Sequence, residues 1–156
     1  MKGYNWVVII AIASGFCFLP KVQAQQLSPD PTMIKSIYFG GGSYYIDPHQ
    51  AEELRKFIKS FPDIRSYTIT VHSHTDNRGG YEMNQILSEM RSYMSIQNLL
   101  RFDVPNDIIS IHDFGEYNPV YDNSTYQGRL KNRRVDIILW PVETLWEYLL
   151  EPLWPN

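Results

Sequence analysis

The sequence predicts an α+β fold, a two-layer sandwich with helices packed on a mixed four-stranded sheet. Three observations carry that expectation. Short runs of alternating apolar and polar residues recur along the chain, which is the period of half-buried strands. Between them lie two longer runs with apolar residues at helical spacing. Their order is strand, helix, strand, helix, strand, strand, which suits helices gathered on one face of a sheet.

The first residues stand outside the fold. Lys2 supplies a positive start, Trp6 to Leu19 is apolar, Pro20 breaks the run, and Val22-Gln23-Ala24 offers small residues where a signal peptidase reads. Residues 1–24 are therefore expected to be a cleaved signal peptide. The apolar run falls short of the roughly 20 residues of a membrane-crossing helix. Phe16 before Cys17 disfavours lipid attachment. Cleavage moves the net charge from −3 to −5, because Lys2 and Lys21 leave and no acid does. An acidic, exported chain points away from nucleic acid as a partner. Cys17 is the one cysteine, so the mature chain carries no disulfide and rests on its hydrophobic core.

Residues 25–32 (QQLSPDPT) read as a polar linker, and residues 33–140 as the domain. Met33 to Phe39 alternates as a strand, and Gly40-Gly41-Gly42-Ser43 follows as a flexible turn. Asp47-Pro48 opens a helix, with Asp47 as N-cap and Ala51, Leu54, Phe57 and Ile58 on its apolar side. Tyr67 to His72 forms a strand with Ile69 and Val71 on one face and Thr68, Thr70 and His72 on the other. Met83, Ile86, Leu87, Met90, Met94 and Leu99 predict a long amphipathic helix. Ile108 to His112 reads as a strand, a polar loop runs through Glu116, Pro119 and Gly128, and Arg134 to Trp140 is the last strand. Residues 141–156 are expected to form an amphipathic helix, with Val142, Leu145, Trp146 and Leu149 opposite Glu143, Glu147 and Glu151. It either folds back on the domain or docks an envelope protein partner.

The segment from His72 to Arg91 carries the chemistry. Asp76 lies in a polar turn, and Asn84, Ser88 and Arg91 follow at helical spacing on one side of the next helix. A carboxylate and a guanidinium at a helix start complement an amino acid zwitterion, the acid taking the ammonium and the arginine the carboxylate. Spacing alone leaves a plainer reading open, in which Asp76 caps a turn and Arg91 is a solvated charge. His72, His74 and Asp76 form an H-x-H-x-D string that fits a metal-dependent hydrolase, but Asn77 stands where such a motif continues with histidine. The basic run from Arg129 to Arg134 suggests a nucleic-acid patch in isolation, which the acidic, exported chain opposes. Strand alternation instead sends Arg133 and Arg134 to opposite sides, one of them toward Asp76.

Taken together, five segments resemble the OmpA-like C-terminal domain. They are the opening strand IYF, the turn HTDNRG, the N-x-x-LS-x-x-R spacing of Asn84, Leu87-Ser88 and Arg91, the loop Phe114-Gly115-Glu116 with Pro119, and Gly128-Arg129 with Asn132-Arg133-Arg134-Val135. The resemblance implies non-covalent binding of peptidoglycan through the diaminopimelate of its stem peptide, with no cofactor, metal or catalytic residue. It assigns the grip to Asp76 and Arg91, ligand contacts to Thr75, Asn77 and Asn84, and supporting roles to Ser88, Arg129, Asn132 and Arg133. It also implies a periplasmic place at the cell wall or outer membrane. Two departures stand out. Ser73 replaces the glycine that usually precedes the histidine, and Gly40-Gly41-Gly42 replaces a loop that bears Asp or Asn. The second removes side-chain contacts to ligand and leaves backbone N–H groups to substitute. A third reading keeps the fold without binding, as a structural adaptor acting through the C-terminal helix.

Overall fold

The computed structural model of the chain describes residues 33–142. The expected signal peptide, the linker and nearly all of the C-terminal helix lie outside the described residues.

Seven elements follow in order: β1 (Ile34–Tyr38), α1 (Pro48–Lys59), β2 (Tyr67–His74), α2 (Tyr81–Arg101), β3 (Ile109–Gly115), α3 (Tyr126–Asn132) and β4 (Arg134–Pro141). The strands make one sheet in the order β1-β4-β2-β3. β4 runs antiparallel to both β1 and β2, while β2 and β3 are parallel. The parallel pair requires a crossover, and α2 supplies it.

Alternation selects the core. Ile37, Ile69, Val71, Val135, Ile137 and Leu139 are fully buried and meet Leu54 and Ile58 of α1 and Ile96 and Leu99 of α2. Lys35 emerges at the same face of β1 and reaches Glu53 of α1 at 2.8 Å. The start of α1 is fixed as its sequence directs. The Asp47 carboxylate accepts from the backbone N–H groups of His49 and Gln50 at 3.0 Å, and Pro48 occupies the first turn, where no amide proton is needed. The Gln50 side chain then exchanges two hydrogen bonds with the backbone of Tyr38, tying α1 to the end of β1.

Two expectations are corrected. The loop read through Gly128 contains a helix, α3, capped by the Thr125 hydroxyl, which accepts from Gly128 N at 3.0 Å. Seven residues with a central glycine give no apolar period to detect. The second correction concerns α2. Its first half buries the polar side, Asn84, Ser88, Arg91, Ser92 and Ser95, while Met83 and Ile86 are 65% and 52% exposed. Only from Met94 onward does an apolar face turn inward. The inversion is stable because each buried polar group has a partner. Ser88 donates to Ser73 O, accepts from Gly115 N, and Ser95 donates to Arg91 O. Ser92 donates to the Asp113 carboxylate.

Candidate functional site

Polar burial under α2 marks where β2 ends and the site begins. Thr75 leaves the strand with its N–H bound to Gly115 O at 2.8 Å, which carries Asp76 out between two loops. On one side lies the glycine turn after β1; on the other lie Asn84 and Glu116. The Asn84 amide donates to Asp76 O at 3.2 Å and to the Glu116 carboxylate at 2.5 Å. Glu116 is a member of this network to which sequence reasoning gave no role. The loop motif Phe114-Gly115-Glu116 was the signal that could have found it.

The Asp76 side chain pairs with Arg133. Its Oδ2 accepts from Arg133 Nε at 2.9 Å and Nη2 at 2.7 Å, and both side chains are largely buried. Both bonds end on one oxygen. Oδ1 accepts no hydrogen bond from any described residue, and neither does Arg133 Nη1 donate one. The pair is therefore neutralised but not saturated, with one acceptor and one donor left at the cleft.

Arg91, expected to take a ligand carboxylate in a fork, has its guanidinium on backbone carbonyls. It is fully buried and forms no ion pair with Asp76. Its Nε donates to Ser43 O at 2.9 Å, Nη1 to His74 O at 2.9 Å, and Nη2 to Gly40 O at 3.1 Å. Its guanidinium also lies 4.9 Å from the Phe39 ring centroid. Burial pushes its pKa down to about 10, against the opposing pull of the Asp76 charge. The group stays a cation at neutral pH and fixes the glycine turn to the end of β2.

This accounts for the glycine turn. Its carbonyls, those of Gly40 and Ser43, receive Arg91. Gly41 also lies against Arg133: a Cβ there would stand 3.3 Å from Nη1. Gly42 has φ 64°, a conformation that suits glycine. A side chain at the middle of this turn would compete with Arg133 for the space beside Asp76.

The remaining predicted residues separate. Thr75 is buried with its hydroxyl lacking a partner among the described residues, and Asn77 is exposed at the mouth. Ser88 joins α2 to β2 and β3. Arg129 and Asn132 make no bond to Asp76. Arg129 Nη1 donates to Asn123 O and Ser124 O, and Asn132 holds the backbone of Tyr121 from both sides, so together they shape the turn before α3. Arg134 departs to the opposite side from Arg133, as alternation requires, and pairs with Asp136 at 2.9 Å.

Among the described residues the metal reading finds no ligand set. His72 packs edge-on to His112 at 4.9 Å, and His74 stacks on Phe114 at 5.1 Å, while Asp76 is engaged by Arg133. Among the described residues no three His, Cys, Asp or Glu side chains come close enough to hold an ion. Burial, with Arg134 adding to it, pushes the His74 pKa down to about 4, so its imidazole is neutral at pH 7. Among the described residues no helix is long and apolar enough to cross a membrane.

Peptidoglycan-binding protein ArfA of Mycobacterium tuberculosis is 34% identical over 106 residues, which cover 66% of this chain and 32% of that protein. Outer-membrane lipoprotein YfiB of Pseudomonas aeruginosa is 31% identical over 107 residues, covering 69% of this chain and 64% of its own. The chain thus spans between about a third and two thirds of the length of these relatives. Two solved structures share the fold. The peptidoglycan-associated lipoprotein of Burkholderia pseudomallei superposes with a TM-score of 0.59 at 24% identity, over 68% of this chain and 90% of that one. The C-terminal domain of Helicobacter pylori MotB gives 0.60 at 22%, over 78% and 98%. The OmpA family model matches residues 38–133. The chain belongs to the OmpA family.

Proposed function

We propose that this chain is an exported module that binds peptidoglycan non-covalently through the diaminopimelate of the stem peptide. The observation that carries the proposal is the half-used ion pair: Asp76 Oδ1 and Arg133 Nη1 each have no hydrogen-bond partner among the described residues. An amino acid zwitterion fits that pattern, its ammonium on the carboxylate and its carboxylate on the guanidinium. Asn84 holds the Asp76 backbone, Asn77 stands at the mouth, and Arg91 adds positive charge from beneath while bracing the glycine turn. Thr75 offers its free hydroxyl at the back of the site. ArfA, named for peptidoglycan binding, supports the same ligand here. Binding of this kind needs no chemical step, and the reading assigns no catalytic residue. It places the chain in the periplasm, at the cell wall or outer membrane.

Co-sedimentation with purified sacculi tests the proposal. Sacculi whose stem peptides carry diaminopimelate should pellet the wild-type chain. Sacculi with lysine at that position should not, because lysine lacks the second carboxylate. Asp76→Ala should weaken retention roughly thirtyfold or more, as loss of a desolvated charge contact does. Retention of Asp76→Ala at the wild-type level would sink the assignment.

A further inference from the structure

Beside the Asp76 cleft stands a pair of tyrosines that packing does not explain. Tyr81 opens α2 and Tyr117 follows Glu116, and their rings meet edge to face with centroids 4.9 Å apart. Tyr117 is 71% exposed and Tyr81 47%. Each ring therefore fixes the other while both leave broad apolar surface in water. Between this pair and Asp76 the chain is Asn77-Arg78-Gly79-Gly80, and a Cβ at Gly80 would meet nothing within 4 Å. Gly79 and Gly80 contribute no side chains of their own to the approach from the cleft to the rings. Glu116, next to Tyr117, is engaged by Asn84 through Oε2, and its Oε1 accepts no bond from any described residue.

An aromatic surface beside a free carboxylate oxygen suits a pyranose ring. The sugar's C–H face lies on the π-system, and its hydroxyl or amide N–H donates to the acid. We infer that Tyr81 and Tyr117, with Glu116, form a saccharide subsite for an amino sugar of the glycan strand. This rests on the peptidoglycan reading of the Asp76 cleft and extends it. The spans agree. Asp76 and Tyr81 are five residues apart, so their Cα atoms lie within about 17 Å. The two stem residues and the lactyl group linking diaminopimelate to its sugar extend on the order of 10 Å, and the side chains close the remainder.

The test compares two soluble probes by calorimetry: the stem tripeptide ending in diaminopimelate, and the same tripeptide on its disaccharide. The wild-type chain should bind the disaccharide-tripeptide roughly tenfold more tightly, the range expected of an aromatic contact. Tyr81→Leu/Tyr117→Leu should lower that affinity to the wild-type value for the bare tripeptide. Tyr81→Phe/Tyr117→Phe, which keeps both rings, should retain most of the preference. Equal wild-type affinity for the two probes overturns the subsite and leaves the peptide reading standing. A preference that survives the leucine substitutions also overturns it. Failure to bind either probe removes the subsite together with the reading beneath it.

Discussion

Arg91→Lys separates bracing from direct ligand contact more cleanly than removing the side chain does. The guanidinium presents three nitrogens to three carbonyls, those of Ser43, His74 and Gly40, at 2.9, 2.9 and 3.1 Å. A lysine ammonium keeps the charge but gathers its donors on one atom. It reaches two of those carbonyls at best and leaves at least one buried acceptor unsatisfied, at about 1–3 kcal/mol. The packing of the planar group on Phe39 weakens as well, by roughly 0.5–1 kcal/mol. The sum is about 2–4 kcal/mol of lost stability, which lowers the Tm of a domain this size by about 10–20 °C. Urea and thermal unfolding read that loss directly. Because the Asp76–Arg133 pair stays in place, the folded variant should still bind diaminopimelate-type sacculi saturably, with reduced affinity as the glycine turn loosens. A variant as stable as wild type that has lost binding altogether would refute this reasoning. It would return Arg91 to the ligand's carboxylate.

Other substitutions and conditions probe the frame around the site. Gly128→Ala places a methyl group 1.9 Å from Asp122 O and 2.8 Å from its carbon, both backbone atoms, so the turn before α3 must move. It should cost roughly 3 kcal/mol in urea unfolding, while Gly80→Ala, with open space around it, should change stability by less than about 0.5 kcal/mol. Acid should act through His74. Its folded pKa of about 4 lies below the unfolded value of 6.5, so the unfolded chain takes up the proton first as pH falls. The stability is fully present above pH 6.5 and is lost toward pH 4, by up to about 1.4 kcal/mol per pH unit. His72, also pushed down by burial and by His112, adds in the same direction. Urea midpoints between pH 7.5 and 4.5 should fall less steeply for His74→Gln than for wild type, and equal slopes would remove His74 from the account.

Much of this fold is legible because its local rules agree with one another. Asp47-Pro48 announces the start of α1 through a cap and a fixed φ, and β2 alternates because one of its faces is buried and the other is not. Asp76, and the shared helix side of Asn84, Ser88 and Arg91, are likewise visible from spacing. What the sequence conceals depends on contacts distant along the chain. Asp76 pairs with a residue 57 positions away, and nothing near Asp76 distinguishes Arg133 from Arg91 as its partner. The buried side of α2 is hidden for another reason. Apolar residues usually face inward, but here the inward side covers polar strand ends, and hydrogen bonds replace hydrophobic burial. The glycine turn read as a loss of side-chain contacts to ligand, with backbone N–H groups in their place. Its carbonyls prove to be what Arg91 needs.

The central claim is that one amino acid zwitterion binds to the Asp76–Arg133 pair through the polar atoms that the pair leaves free. Titration of the 15N-labelled chain with meso-diaminopimelate, followed through its backbone amide resonances, tests it most directly. The account predicts saturable shifts confined to Gly40 to Ile46, Thr75 to Tyr81, Glu116 and Arg133, and their loss in Asp76→Ala. Shifts centred on His72, His112 and Trp140, or none at saturating ligand, would contradict it.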